Sequence, residues 1–131
     1  MGNLSTKRSK EVKRIADVIT ALQEGTDINF NENDKSLRVE AYNWTFLHLA
    51  VWYGNIPIVK ELLRQGWDPD AQDVHGESPL HLAEYTSNYE IRNLLVSSHA
   101  NELILNKKQQ VPRDLFTLYE TRNTESSLEV D

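Results

Sequence analysis

Two six-residue stretches of this chain are nearly identical, and the distance between them constrains the fold more than any other feature. T-F-L-H-L-A spans residues 45–50, and S-P-L-H-L-A spans residues 78–83. The offset between their histidines, His48 and His81, gives a period of about 33 residues, which is typical of stacked helical repeats. With 39% hydrophobic residues the chain is lean for one globular core, and a solenoid tolerates this because each unit packs only against its neighbours.

The repeated block resembles the opening of an ankyrin repeat, T-P-L-H-x-A, which begins the first of two antiparallel helices. The first copy also has the later residues of the family's unit, namely Gly54, Ile58, Val59, Leu62, Leu63 and Gly66. The resemblance implies an all-α ankyrin-repeat solenoid of stacked helix-turn-helix units with finger-like β-turn loops. It predicts two full repeats with an atypical capping unit at each end.

The same register divides residues 1–131 into the parts of a single ankyrin-repeat domain. The expected parts are a flexible basic N-terminus (1–9), an N-terminal capping unit (10–29), an extended loop (30–39), two repeats (40–72 and 73–105), a degenerate C-terminal capping unit (106–122) and an acidic tail (123–131). Because of the loop, the first junction, from Asn29 to Thr45, is twice as long as the next one, from Asp70 to Ser78. The longer first junction predicts an enlarged finger, which is either part of a binding face or a tolerated insertion of no importance.

Single residues predict how the turns and caps are built. Asn43 stands where the family has Gly, and Asn is the non-glycine residue best suited to a positive φ. Thr45 is expected to cap the first helix, and Pro57 to occupy the first turn of the second. His99 replaces the Gly that ends the second repeat, which predicts a strained or rearranged turn.

Charge is distributed unevenly along the chain. Residues 1–14 carry a net charge of +4 and residues 15–131 a net charge of −10, for a total of −6. An acidic body repels phosphate backbones, so we expect no direct binding of nucleic acid. The expected partner is another protein, and a basic one is favoured through its encounter rate. We expect the free chain to be a monomer.

Cysteine content and apolar runs bear on where the chain works. It has no cysteine, so it offers neither a disulfide framework nor a thiolate for metal binding or catalysis. It also lacks a membrane-spanning apolar run and the apolar segment of a signal peptide, and we expect a cytoplasmic protein. The first six residues, M-G-N-L-S-T, match the N-myristoylation pattern beside a basic cluster. A membrane is a partner only if Gly2 is acylated, and the other interpretation is a chance match.

Histidines and neighbouring carboxylates are the residues that a catalytic or metal site would use. His48 and His81 stand at the family's structural histidine position, which implies hydrogen bonds within and between turns. His75 with Asp73 and Glu77 is a denser group of metal-ligand or acid-base candidates. On an exposed finger these groups lack the burial that shifts pKa values, so a solvated turn is favoured over a metal-dependent enzyme. We expect no catalytic residue, no metal and no cofactor.

The resemblance places the binding surface on the finger tips and the inner face of the first helices. The expected partner-binding residues are Tyr42, Trp44, Trp52, Tyr53, Val74, His75, Glu77, Tyr85 and Thr86. Tryptophan and tyrosine dominate interface hot spots, and they are concentrated in this set. Alternatively, Trp44 or Tyr42 folds under the long loop as part of a local core. The expected charged rim consists of Arg38, Asp73, Glu77 and Glu84.

The predicted function is a non-catalytic protein-binding module that inhibits or neutralises its partner. In size, charge and architecture the chain resembles bacterial toxin-immunity proteins. One alternative is an adaptor or assembly subunit that holds two proteins at once. It would use Trp67, which replaces a small Ala of the family and either covers a neighbouring repeat or forms a second patch. Another alternative is a lipid-anchored regulator that depends on Gly2.

Overall fold

The computed structural model describes residues 4–116, which form a row of short helices joined by loops. Its elements are α1 (Leu4–Glu24), a 3-10 helix (Glu32–Ser36), α2 (Phe46–Trp52), α3 (Ile56–Arg64), α4 (Pro79–Tyr85) and α5 (Tyr89–Ser97). Residues 112–116 are also helical. Strand-like pairing within residues 4–116 is limited to an isolated antiparallel bridge between Val39 and Trp44. The predicted all-α repeat fold is therefore confirmed.

Each first helix begins with the same cap, in which a hydroxyl and an imidazole three positions apart satisfy backbone N–H groups. Thr45 Oγ1 accepts from the His48 N–H, and His48 Nδ1 accepts from the Thr45 N–H, both at 3.2 Å. Ser78 and His81 repeat the two bonds at 3.4 and 3.0 Å. These bonds satisfy donors that a helix start leaves without intrahelical partners, so they fix where α2 and α4 begin.

The two structural histidines also join neighbouring units. His48 Nε2 donates to the Glu77 carbonyl at 2.9 Å, and His81 Nε2 donates to the Gln110 carbonyl at 3.0 Å. Because each Nδ1 accepts from a cap N–H, the proton of the neutral ring resides on Nε2. Each imidazole therefore ties the start of one helix to the finger of the following unit, as the resemblance implied.

Backbone bonds link the fingers in the same register. The Val74 N–H donates to the Tyr42 carbonyl at 2.9 Å, and the Lys107 N–H donates to the His75 carbonyl at 2.9 Å. The two donors are one repeat period apart, and so are the two acceptors. The fingers therefore stack as regularly as the helices, where α2 packs on α4 and α3 packs on α5.

Left-handed backbone recurs at equivalent turn positions. Asn43, Gly76 and Gln109 have φ values of 57°, 75° and 62°, so the predicted positive φ at Asn43 is confirmed. Gly66 and His99 have φ values of 80° and 68°. Both donate their N–H to the carbonyl three positions earlier at 3.0 Å, so the turn at His99 is not rearranged. His99 therefore carries the strain of a non-glycine residue in the left-handed region.

The extended loop, residues 30–39, is packed against the stack as a brace. Arg14 donates from Nε and Nη2 to the two Asp34 carboxylate oxygens at 3.0 and 2.9 Å. Asp34 is buried, and its hydrogen bond raises the pKa of Arg14. Lys35 Nζ donates to the Gln65 carbonyl at 2.9 Å, which connects the loop to the end of α3. The insertion therefore holds α1 and the first repeat together instead of forming an enlarged finger.

Trp67 belongs to the hydrophobic core, where it contacts the same loop. Its side chain is 4% exposed, and its ring centroid lies 5.9 Å from that of Phe46 and 6.1 Å from that of Phe30. Its Nε1 is buried without a hydrogen-bond partner among the described residues. Trp67 therefore covers a neighbouring segment, and the second surface patch that the adaptor hypothesis placed there is excluded.

The N-terminal helix α1 packs on α2. Because it begins at Leu4, residues 4–9 of the predicted flexible N-terminus are part of this helix. Lysine and arginine are good helix formers, and Arg8 pairs with Glu40 at 3.0 Å. No helix within residues 4–116 has the length and apolar character needed to cross a membrane.

The helix of the C-terminal capping unit begins in the register of the two full repeats. The Val111 N–H donates to Asp114 Oδ2 at 2.9 Å, at the positions that the capping residue and histidine hold in the full repeats. A carboxylate thus replaces the imidazole of the cap. Outside the described residues lie Gly2, the rest of this capping unit (117–122) and the acidic tail (123–131).

Candidate functional site

A groove of about 730 Å³ runs along the inner face of the stack. The fingers form one wall, and the first helices α2 and α4 form the other. Ile19 of α1 lines its N-terminal part and Leu115 its C-terminal part. The groove therefore spans every unit between α1 and the C-terminal helical residues, and most of its lining is apolar.

Four aromatic side chains form a continuous row in this groove, which we call the aromatic ladder: Tyr42, Trp44, Trp52 and Tyr85. Successive ring centroids lie 4.9, 5.6 and 6.5 Å apart. Tyr42, Trp52 and Tyr85 are 49%, 43% and 42% exposed, whereas Trp44 is only 9% exposed. Tyr53, exposed at the end of α2, lines the groove beside the ladder. Exposed aromatic rings in a concave surface are the usual anchors of protein interfaces.

Trp44 forms the floor of the groove. Its Nε1 donates to Asp73 Oδ2 at 2.8 Å, and its ring lies parallel to that of His48 with centroids 6.3 Å apart. Trp44 was predicted as an exposed binding residue, and this burial matches the alternative in which it joins a local core. The reason is that the indole N–H has a buried acceptor on the following finger, which draws the ring down.

Asp73 supports the second finger from inside. It is 7% exposed, and its Oδ1 accepts from the His75 and Glu77 N–H groups, both at 2.8 Å. The prediction of a solvated turn is therefore wrong for Asp73, although His75 itself is exposed. Among the described residues, no group of three or more His, Asp or Glu side chains is placed to hold a metal ion.

The buried surroundings of His48, in the floor of the groove, favour the neutral form of its imidazole. Burial lowers the pKa of His48, and this effect outweighs the opposing hydrogen bond to the Glu77 carbonyl and the charge of Asp73. The neutral ring has one donor and one acceptor nitrogen, which is what its bonds to Thr45 and Glu77 need. His48 is therefore a structural residue of the groove floor.

Most of the predicted partner-binding residues come together in the groove. The seven that line it are Tyr42, Trp44, Trp52, Tyr53, His75, Glu77 and Tyr85. Val74 is exposed on its finger and Thr86 on the end of α4, but neither is part of the lining. The Thr86 hydroxyl donates to the Leu82 carbonyl at 2.9 Å, so it acts at the helix end.

The predicted charged rim differs in the structure. Glu84 is buried and pairs with Arg92 of α5, and Asp73 is used by the finger. Arg38 donates to the Lys35 carbonyl at 2.8 Å within the extended loop. Within residues 4–116, neither Asp73 nor Glu77 has an ion-pair partner.

Lys107 and Lys108 are groove residues that were not among the predicted binding residues. They lie exposed on the third finger and line the C-terminal part of the groove. A signal was present, because they follow Val74 and His75 by one repeat period. The repeat register, extended into the degenerate unit, predicts a finger position at each of these lysines.

The stacked helix pairs and preformed groove define a helical-repeat scaffold of the kind that binds other proteins. A family model described as "Ankyrin repeats (3 copies)" matches residues 10–107, well over half of the chain. The chain belongs to the ankyrin-repeat family, whose repeats are protein-protein interaction units.

Similar stretches occur in longer proteins. The potassium channel AKT1 of Arabidopsis thaliana is 37% identical over 76 residues, which cover 57% of this chain and 9% of the channel. Ankyrin repeat domain-containing protein 37 of Homo sapiens is 39% identical over 69 residues, which cover 53% of this chain and 44% of that protein. The protein of the same name from Bos taurus gives the same values. The chain thus spans less than half the length of these relatives.

Proposed function

We propose that this chain recognises another protein through the groove, with Trp52, Tyr53 and Tyr85 as the main anchors. The observation that carries the proposal is the aromatic ladder, a continuous row of four rings in a concave surface, three of which are exposed. An exposed apolar row of this kind is a characteristic mark of an interaction site. Aromatic anchors supply large contact areas with few rotatable bonds, so ordering them on binding costs little.

The mechanism is recognition by a preformed surface, without a chemical step. Hydrogen bonds from His48 and His81 and between the fingers hold the groove open in one shape. The part of a bound partner that contacts the aromatic ladder is no longer accessible to other molecules. Binding therefore inhibits the partner by occlusion. The net charge of −10 over residues 15–131 favours a basic partner at long range.

Neutralisation of a toxin in the bacterial cytoplasm is the most specific form of this proposal. It is supported by the acidic body and by a groove that can cover a partner surface without rearranging. The adaptor hypothesis has lost its second surface, since Trp67 is buried. The lipid-anchored hypothesis depends on Gly2, which lies outside the described residues.

The test is capture of a partner from lysate of the source organism by wild type and two triple variants. Trp52→Ala/Tyr53→Ala/Tyr85→Ala removes the anchors. Val12→Ala/Tyr89→Ala/Leu103→Ala is the control, because these side chains are 56%, 56% and 76% exposed and lie outside the groove lining. We expect the anchor variant to lose at least about 30-fold in affinity, as for loss of one hot spot or more, and the control to bind normally.

Two results would change this proposal. Equal binding by the anchor variant and the wild type would show that the groove is not the contact surface. A captured partner whose activity is the same with and without the bound chain would exclude neutralisation and leave recognition alone.

A further inference from the structure

Equivalent positions on the three fingers differ in a regular way along the groove. Tyr42, His75 and Lys108 follow one another at the repeat period, and all three are exposed and line the groove. The series therefore runs from an aromatic ring at the N-terminal end through an imidazole to an ammonium group at the C-terminal end. Lys107 adds a second ammonium group beside the last one.

The C-terminal end of the groove is a positively charged spot on an acidic body. Within residues 4–116, neither Lys107 nor Lys108 has an ion-pair partner. Of the two acidic side chains in the lining, Asp73 is buried and used by Trp44 Nε1 and the finger backbone. Glu77 is half-buried, at a finger position equivalent to Gln110 and not to the lysines. Two accessible cations therefore face the groove at this end against one partly covered anion.

From this arrangement we infer that the groove binds an extended segment of the partner that carries an apolar or aromatic side chain followed or preceded by a carboxylate. The apolar side chain lies on the rings of Trp52 and Tyr85, and the Asp or Glu carboxylate lies between Lys107 and Lys108. The inference rests on the proposed function and specifies the chemistry of its partner. A partner that is basic overall can present such a segment, because net charge acts at long range and the two lysines act at contact distance.

The charge contribution is expected to be moderate. Ion pairs between exposed lysines and carboxylates are weak individually, and two of them together correspond to about a tenfold gain in affinity. The aromatic anchors therefore supply most of the affinity, and the lysines decide which segment binds and in which direction.

A selection from displayed random linear peptides tests the inference without knowledge of the natural partner. Peptides are selected on the wild type and then measured individually on four variants. These are Trp52→Ala/Tyr85→Ala, Lys107→Glu/Lys108→Glu, Lys107→Arg/Lys108→Arg and Lys7→Glu/Lys10→Glu. The last is a matched control with the same change in net charge on exposed lysines of α1, away from the groove. Thermal unfolding confirms that each variant is folded.

Three results together would support the inference. Selected peptides combine an aromatic or aliphatic residue with Asp or Glu at a constant spacing. They bind about tenfold more weakly to Lys107→Glu/Lys108→Glu, and normally to the arginine variant and the control. Replacing the acidic residue of a peptide by Lys restores its binding to Lys107→Glu/Lys108→Glu.

The other outcomes separate this inference from the proposed function. Peptides that need Trp52 and Tyr85 but bind equally to the lysine-reversal variant overturn the inference and leave the proposed function standing. The same holds if the α1 control weakens binding as much, since net charge would then be the cause. If no selected peptide depends on Trp52 and Tyr85, both the segment inference and groove recognition are contradicted.

Discussion

The two full repeats share one backbone plan but differ at the positions where the first repeat has tryptophan. Trp44, Trp52 and Trp67 correspond, one repeat period later, to Glu77, Tyr85 and Ala100. Caps, turn conformations and histidine bonds are the same in both repeats. The difference therefore lies in what each repeat packs against and in what it exposes.

The neighbours of the first repeat explain two of the three tryptophans. Trp67 fills space against Phe30 of the extended loop, a segment that the second junction does not have. Ala100, at the position equivalent to Trp67, is also buried, but the preceding junction of its repeat is the short one. Trp44 reaches the following finger through Asp73. Trp52, like Tyr85, is exposed in the groove. Two of the three tryptophans therefore belong to the core and one to the surface.

The largest effect is expected when Trp67 of the first repeat is replaced by alanine, the residue at the equivalent position 100 of the second repeat. Trp67→Ala removes a buried indole and should lower the free energy of unfolding by about 3–5 kcal/mol. Trp52→Ala, at an exposed position, should cost less than about 1 kcal/mol. Urea unfolding followed by circular dichroism measures both. Equal losses for the two variants would contradict the assignment of Trp67 to the core and Trp52 to the surface.

A second pair of variants isolates the indole N–H. Trp44→Phe leaves buried Asp73 Oδ2 without its donor, and should destabilise the chain by about 1–3 kcal/mol. Trp67→Phe removes the same atoms, but the Trp67 Nε1 has no hydrogen-bond partner among residues 4–116. This substitution should therefore lower the free energy of unfolding by only about 1 kcal/mol. The difference in unfolding free energy estimates the Trp44–Asp73 hydrogen bond. A larger loss at Trp67 would show that ring volume, and not this bond, sets the order.

The histidine of the first repeat predicts a pH dependence. Burial lowers the pKa of His48 in the folded chain below its unfolded value of about 6.5, so protonation favours unfolding. Its contribution is present above pH ~6.5 and is lost as the pH falls through the folded pKa, at most at about 1.4 kcal/mol per pH unit. Urea titrations from neutral to mildly acidic pH measure the slope. His48→Gln should be less stable at neutral pH and have a shallower slope, and an unchanged slope would exclude His48 as the cause.

The smallest expected effect concerns the turn after each first helix. Gly54 and its equivalent Ser87 both have positive φ, 67° and 57°, and the Ser87 hydroxyl is buried without a partner among the described residues. Ser87→Gly should therefore stabilise the chain by about 1 kcal/mol, whereas Gly54→Ala should destabilise it by a similar amount. Thermal unfolding compares the two. A stabilising Gly54→Ala would show that the left-handed turn is not the source of strain.

The sequence predicts the repeat fold well because its signals are local and recur in register. The Thr45 cap, the positive φ at Asn43 and the structural role of His48 each depend on residues close in sequence and on a constant period. The capping position at Val111 in the degenerate unit follows from the same period. Seven of the predicted binding residues line the groove for this reason.

Features that depend on a distant partner were not predictable. The burial of Trp44 requires Asp73, 29 residues away, to be turned inward as its acceptor. The extended loop is a brace because Asp34 meets Arg14 across a sequence distance of 20 residues. Composition favours turns in that loop, but it does not show which charges pair. Trp67 was ambiguous because its contact with Phe30 belongs to the same insertion.

The bonds between neighbouring units also bear on the rate of recognition. Because an imidazole bond and a finger bond connect consecutive units, the spacing of the groove walls is set before any partner arrives. A surface that needs no rearrangement gives association in a single kinetic phase whose rate rises linearly with partner concentration. Differences among partners then appear mainly in how long each complex lasts.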